Sequence, residues 1–335
     1  MKKVSFPKDE QAHDCSIEWW YFNGHLAAEG GKRFGYMNCL FKARIKDFFP
    51  IPRKIPVKYA FFSHSIISDI KTGKSYPQVN YVSLVSKDSF KKPLLFINYT
   101  NPLCLGGYFN SEIEEQKKFS YRLKTESLDL GLKSSKKPLL EGGKGFVDMK
   151  PEKTYYYSLS NLQTKGFINL DGKAIPVKGK SWLDHQWANV TSTNKWNWMS
   201  IQLSNNTELV CFEYNGTKKK TRMATISYPN NKQETFHNII IEPVGKAWQS
   251  PKTRVAYPLE WKVEVPERQI FLKAEPLMKN QELSFGAIKY WEGPMKISGT
   301  VRSRKVSGFG FLELVGRPRQ RFNLGFLRKL NFRSR

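Results

Sequence analysis

The apolar positions of this chain fall in short runs, many aromatic or β-branched, with turn residues between them. Residues 59–67 run into Ser68-Asp69 and then Lys71-Thr72-Gly73, and residues 154–159, 166–170, 200–203, 236–241 and 259–265 have the same form. Such runs predict strands, because branched and ring side chains pack well on a pleated surface. Asp171-Gly172, between residues 167–170 and Ile175-Pro176-Val177, predicts a tight hairpin, since both residues tolerate positive φ. Extended helical periodicity is scarce. Residues 111–118 predict one short helix, and residues 47–56, with Pro50, Pro52 and Pro56, predict a loop. Glu292-Gly293-Pro294 reads as a turn. Many short strands at regular spacing make this an all-β chain, a sandwich or barrel.

The pattern also repeats. Trp19-Trp20-Tyr21-Phe22-Asn23-Gly24-His25-Leu26 is echoed by Trp196-Asn197-Trp198-Met199-Ser200-Ile201-Gln202-Leu203, each opening on Trp, with an aromatic two residues on and Leu at the close. Val177-Lys178-Gly179-Lys180-Ser181-Trp182-Leu183-Asp184 is echoed by Val306-Ser307-Gly308-Phe309-Gly310-Phe311-Leu312-Glu313, sharing Val-x-Gly-x-small-aromatic-Leu-acid. The order is the same in both halves. Two related units follow, about residues 19–188 and 196–315, joined by the polar stretch 188–194. This predicts an N-terminal barrel domain, 1–188, and a C-terminal barrel domain with a basic tail, 189–335. Each has the length of one small up-and-down barrel, a form that can hold one small ligand.

Composition sharpens this picture. Aromatics make up 14% of the 335 residues, more than packing usually demands, and suit an apolar pocket. The net charge of +26 should attract polyanions or an anionic membrane surface. The charge is spread over Lys117-Lys118, Lys136-Lys137, Lys218-Lys219-Lys220 and a tail from Arg317 in which Phe322, Leu324 and Phe326 lie between basic residues. That tail suits peripheral contact with anionic lipid. Without a Cys/His finger or an aromatic RNA-binding motif, no nucleic-acid partner is expected. Cys15, Cys39, Cys104 and Cys211 fit neither a zinc site nor a disulfide framework and are expected to be buried, reduced thiols. No run reaches 18 apolar residues, and no apolar core follows Lys2-Lys3. The chain reads as cytoplasmic or membrane-peripheral, and as exported or periplasmic if a signal segment has been removed.

The candidate chemistry centres on Asp184-His185-Gln186-Trp187, where the second unit has only Glu313-Leu314. Asp184 would orient His185, which titrates near neutral pH. Trp187, two residues on, shares the face of His185 and could stabilise a cation. The plainer alternative is a structural Asp and a core His. In the first aromatic run, Glu18, Trp20, Phe22 and Gly24 share one strand face and Trp19, Tyr21, Asn23 and His25 the other. One row would face the pocket and the other the neighbouring barrel, making Trp19, Trp20, Tyr21 and Asn23 ligand-binding candidates. His64, in another apolar strand, is a further candidate, although a lone His there is more often a core residue. No nucleophile elbow, phosphate loop or dinucleotide fingerprint occurs, so no cofactor is expected. His13 and His237 show no ligand spacing with each other or with the cysteines, so no metal is expected.

Glu18-Trp19-Trp20-Tyr21-Phe22-Asn23-Gly24-His25-Leu26, Trp182-Leu183-Asp184-His185-Gln186-Trp187, Trp196-x-Trp198, Tyr290-Trp291-Glu292-Gly293 and Gly308-x-Gly310-Phe311-Leu312-Glu313-Leu314 together closely resemble the AttH/CrtC-like lipocalin family. That family includes the carotenoid 1,2-hydratases, or hydroxyneurosporene synthases. The resemblance runs from about residue 13 to residue 316. It implies two tandem lipocalin-like antiparallel β-barrels packed together, and a hydrophobic ligand of isoprenoid, polyene or lipid type. Hydratase members add water to the terminal double bond of an acyclic carotenoid, and related fungal members are similar to pericyclase-type enzymes. The His and Trp implicated in hydratase catalysis match His185 and Trp187. The hydratases' Tyr-x-Asp pair is unmatched by Phe212-Glu213-Tyr214, where Glu213 faces away from its neighbours. Phe212, Tyr214, Tyr290 and Trp291 join the ligand-binding candidates.

The resemblance implies acid-catalysed hydration or isomerisation, a hydro-lyase activity. Asp184 would replace the missing acid, Trp187 and Tyr214 would stabilise the cation, and His185 would take the proton from water. The rival expectation is a non-catalytic carrier of a lipid or other apolar small molecule, associated with a transport or biosynthesis operon. A third is an interaction protein using its basic surface.

Overall fold

The computed structural model describes residues 3–48, 57–101, 110–149, 152–189, 195–215, 220–285 and 288–316. Most of the predicted proline loop, Cys104, Lys218-Lys219, most of the predicted linker and the basic tail from Arg317 lie outside these residues.

The first sheet contains β1 (Ile17–Ala27), β2 (Arg33–Arg44), β3 (Tyr59–Asp69), β4 (Lys74–Asn80), β5 (Leu84–Val85), β6 (Phe96–Thr100), β7 (Asn110–Lys117), β8 (Ser120–Thr125), β9 (Leu128–Ser134), β10 (Leu139–Leu140), β11 (Phe146–Asp148), β12 (Lys153–Leu170) and β13 (Lys173–Ala188). The second contains β14 (Lys195–Leu203), β15 (Glu208–Asn215), β16 (Lys220–Ser227), β17 (Gln233–Phe236), β18 (Ile240–Val244), β21 (Glu260–Val265), β22 (Ile270–Pro276), β23 (Glu282–Phe285), β24 (Ile288–Val301) and β25 (Arg304–Val315), with β19 (Trp248–Gln249) and β20 (Ala256–Tyr257) paired beside it. The protein is all-β: two curled, antiparallel, lipocalin-like barrels packed together.

Both sheets share one plan. The opening strand lies between its successor and the closing strand, in the order β2-β1-β13 in the first and β15-β14-β25 in the second. The Trp-rich repeats are the opening strands, and the Val-x-Gly repeats are the closing strands. The repeated glycine has a steric cause. A Cβ on Gly179 would lie 2.0 Å from the His25 carbonyl oxygen, and one on Gly308 would lie 2.3 Å from that of Gln202. The closing strand can approach the opening strand this closely only where no side chain intervenes.

The period-two alternation of β1 divides its aromatics between two cores. Trp20 and Phe22 point into the first barrel, with Tyr121 and Tyr157. Trp261 and Trp291 fill the second barrel. A third apolar cluster, including Tyr21, Trp198, Phe212, Tyr214, Tyr290 and Phe311, lies between the barrels.

The predicted hairpin is present: Leu170 pairs with Lys173, and Asp171 and Gly172 have φ of 50° and 75°. Residues 111–118 do not form the expected helix, because Asn110–Lys117 is strand β7. Its inward positions are Ser111, Ile113 and Glu115, so two polar residues disguise the alternation. Glu115 carries its burial by accepting the Leu95 and Phe119 amides. The expected turn at Glu292-Gly293-Pro294 is also overturned, since these residues lie inside β24. Pro294 stands between the residues of β24 that pair with β23 and those that pair with β22, where a missing amide proton costs least. Cys15, Cys39 and Cys211 are buried free thiols, as expected. Among the described residues, no helix is long and apolar enough to cross a membrane.

Candidate functional site

A cavity of about 200 Å³ opens at the junction of the barrels. One wall carries Trp19 and Tyr21 from β1 and Tyr156 from β12. The other carries Trp196 and Trp198 from β14, Phe212 and Tyr214 from β15, and Tyr290 from β24. Four carboxyl groups line this aromatic enclosure: Glu152, just before β12, and the three on strands, Asp184 on β13, Glu292 on β24 and Glu313 on β25. Asp184 is 3% exposed and Glu292 1%.

Strand register assembles the acids. Asp184 stands opposite Tyr21 on one side and Ser158 on the other. Glu313 stands opposite Trp198 and Glu292. Asp184 and Glu313 therefore occupy the same place in the two repeats, each beside an aromatic of the opening strand.

Their environments differ. Asp184 Oδ1 accepts hydrogen bonds from Ser158 Oγ and Trp182 Nε1, both at 2.6 Å, and its Oδ2 accepts one from Tyr156 Oη at 2.6 Å. Trp198 Nε1 in turn donates to Tyr156 Oη at 2.8 Å. Burial pushes Asp184 up to about 7, against the pull of its three donors. Glu313 receives a bond from Trp196 Nε1 at 2.9 Å, and burial, reinforced by the nearby Asp184, pushes it to about 7. Glu292 has a bond from Tyr21 Oη; burial and the facing Glu313 hold its carboxyl well above the ordinary range. Glu292 is thus held toward its protonated form, whereas Asp184 has the donor set of a carboxylate.

His185 and Trp187 lie elsewhere. They point into the first barrel, their rings 4.9 Å apart. The expected contact between Asp184 and His185 is absent because adjacent strand residues face opposite ways. His185 Nε2 instead donates to Glu18 Oε1 at 3.0 Å, and Trp20 stacks on its ring. Glu18 also binds His13 Nδ1 at 2.7 Å and Lys42 Nζ at 2.8 Å, while His13 stacks on Trp187 at 3.9 Å. Burial alone would raise Glu18, but bonds from His13 and His185 and the charge of Lys42 outweigh it and hold Glu18 at about 2. Burial lowers His185, leaving it neutral. The side chains of His13, Glu18 and His185 are close enough to hold a metal ion. The Lys42 ammonium already compensates this carboxylate, however, and the three side chains are joined directly, as in a closed ion-pair network.

Of the ligand-binding candidates, Trp19, Tyr21, Phe212, Tyr214 and Tyr290 line the cavity. Trp20 and Trp291 do not: each is packed in the core of its own barrel. Asn23 is buried between the barrels near Ser200, beyond the lining. His64 also lies behind the lining, where its Nδ1 accepts from Tyr290 Oη at 2.5 Å and orients that ring. Glu213 is buried on the opposite face of β15 from Phe212 and Tyr214, the face of Leu209 and Cys211, and accepts a hydrogen bond from Arg222 Nε at 2.8 Å. The sequence reading missed Tyr156, Trp196, Trp198, Glu292 and Glu313 as site residues. The shared acid position of the two Val-x-Gly repeats was the available signal for Glu313.

The buried acids set a pH dependence for stability. Asp184 and Glu313 have folded pKa values of about 7, above their ordinary 3.8 and 4.5, so the stability they confer is present below those values and lost as pH rises through about 7; Glu292, raised as well, acts in the same direction. Glu18 acts oppositely: its contribution is present above 4.5 and lost as pH falls toward about 2. Urea unfolding is expected to show maximum stability on the acid side of neutrality. A curve that rises steadily from about pH 5 to about pH 8 would contradict this assignment.

A pair of lipocalin-like barrels with an acid-bearing aromatic cavity at their junction defines the class of protein. The chain belongs to the AttH-like family, whose model matches residues 1–317. It is 28% identical over 202 residues to kievitone hydratase of Fusarium solani subsp. phaseoli, covering 56% of this chain and 57% of that protein. It is 26% identical over 203 residues to dehydratase asqC of Emericella nidulans, covering 56% of this chain and 58% of that protein. The chain thus spans less than two thirds of the length of these curated relatives. A solved structure of a Nitrosomonas europaea protein assigned as AttH superposes with a TM-score of 0.73 at 25% identity, covering 95% of this chain and 98% of the other.

Proposed function

We propose that the protein is a hydro-lyase that adds water to, or removes it from, a double bond of an apolar, unsaturated substrate held between the barrels. The observation carrying this reading is the division of labour among the cavity acids: Asp184 accepts three hydrogen bonds, while Glu292 faces Glu313 across a strand pair and is held toward its protonated form. Acid–base chemistry at one pH needs such a separation. The names of two relatives, a hydratase and a dehydratase, support the same reaction type.

In the hydration direction, Glu292 transfers its proton to one alkene carbon, leaving a carbocation at the other. The ring faces of Trp198, Phe212 and Tyr214 stabilise that charge. Water adds to the cation, and the Asp184 carboxylate takes the proton released. Dehydration is the reverse: Asp184 returns the proton to the departing hydroxyl, and the Glu292 carboxylate then removes the carbon-bound proton. The cavity walls suit an isoprenoid or polyene segment. The acid role moves from Asp184 to Glu292, and the proton-accepting role from His185 to Asp184, because His185 faces the other side of the strand.

The test is a screen of unsaturated isoprenoids, polyenes and polyketide-type alcohols for water addition or loss, followed by a pH profile. Activity is expected to rise as Asp184 ionises near 7 and to fall at higher pH once Glu292, held up by burial and the facing Glu313, ionises in turn, a bell-shaped curve. Tight binding of these compounds without any turnover would instead establish an apolar-ligand carrier.

A further inference from the structure

Lys117, Lys133, Lys165, Lys178 and Lys180 surround a surface concavity of about 610 Å³ on the first barrel. Its lining contains no acidic residue. Among the described residues, no carboxylate makes an ion pair with any of the five, whereas Lys42, Lys58, Lys91, Lys136, Lys220 and Lys273 elsewhere are all ion-paired. The cluster follows from strand register. Lys133, Gln163 and Lys180 form one cross-strand row, and Gly131, Lys165 and Lys178 form the next. The following row is Asp129, Phe167 and Pro176, with Asp129 already bound to Arg122 at 2.8 Å. Phe167 is 46% exposed and shares the outward face of Lys165.

Like charges held together this way raise the cost of the folded state, and a bound anionic surface removes that cost. An exposed ring beside them adds what a purely ionic partner would not use, an apolar group placed to enter a lipid interface. We propose that this face of the first barrel docks on an anionic lipid bilayer, with the five lysines against the headgroups and Phe167 in the interface. The bilayer is also the phase in which an apolar ligand for the junction cavity would reside. The proposal does not depend on which reaction that cavity performs. A nucleic-acid partner fits less well, since the face offers one exposed ring rather than a row of stacking platforms.

Co-sedimentation of the full chain with vesicles tests this. The protein is expected to pellet with phosphatidylcholine vesicles containing about 30% phosphatidylserine, and not with phosphatidylcholine alone. Each lysine near the surface contributes roughly a five-fold gain in partitioning. The triple variant Lys133→Glu, Lys165→Glu, Lys178→Glu should therefore lose on the order of 100-fold or more, with an unchanged thermal melt. Phe167→Ser should weaken the binding that survives raised salt. The control triple Lys246→Glu, Lys252→Glu, Lys305→Glu, of equal charge on the second barrel, should retain most binding. Equal losses in both triples would show that net charge or the basic tail drives association and would overturn the proposal. So would tighter binding of inorganic phosphate or duplex RNA at this face than of anionic vesicles.

Discussion

Glu292→Gln is expected to lower turnover by about 10²- to 10⁴-fold while leaving the ligand bound, the usual contribution of a positioned general acid. The amide has nearly the shape of the carboxylic acid and can still accept the hydrogen bond from Tyr21, so the cavity walls keep their places. What is lost is the transferable proton. Asp184→Asn should cause a comparable loss, because three donors now aimed at a carboxylate would face a group that cannot take a proton. His185→Ala is the discriminating control. It should reduce stability while leaving the cavity acids able to turn over substrate. Turnover by the folded protein and ligand quenching of tryptophan fluorescence separate these effects, since Trp19, Trp196 and Trp198 line the cavity. Near-normal turnover in Glu292→Gln, or a larger catalytic loss in a folded His185→Ala, would move the chemistry into the first barrel and sink the present assignment.

The largest stability effect is expected at Glu18. Its carboxylate joins His13, His185 and Lys42, and Lys42 is only 5% exposed. Removing one partner of a buried ion pair typically costs about 3–5 kcal/mol, because the remaining charge stays desolvated and uncompensated. Glu18→Ala should show a loss of that size in urea unfolding. Glu18→Gln should lose less, since it keeps hydrogen-bonding capacity. Lys42→Met placed on Glu18→Ala should recover part of the loss by removing the stranded charge. A loss under about 1 kcal/mol in Glu18→Ala, the range of a surface pair, would mean that solvent reaches this network. The location explains why the motif Asp184-His185-x-Trp187 draws attention in the sequence: half of it belongs to this structural network and half to the cavity.

The strand pattern, the duplication and the aromatic pocket were legible in the sequence because each depends on local periodicity or composition. Period-two alternation put Trp19 with Tyr21, and Phe212 with Tyr214, on common faces, and all four line the cavity. The repeated glycines stand where the closing strand of each sheet leaves no room for a side chain against the opening strand. Polar residues at inward positions hid strand β7, and a proline inside β24 imitated a turn.

The sequence by itself determined that this is an all-β chain with a repeated strand plan, and that His185 and Trp187 share a face; it paired Asp184 with His185, which the structure separates onto opposite faces of β13. Only the tertiary structure decided which face is the working one. The inward faces of both barrels are filled by their own aromatic side chains, so the open space falls between the barrels. Packing one barrel on the other then brings Asp184, Glu292 and Glu313 together from strands distant in the chain. That meeting buries all three, which raises their pKa values, with charge repulsion adding to it at Glu292 and Glu313, and no property of any single segment encodes it.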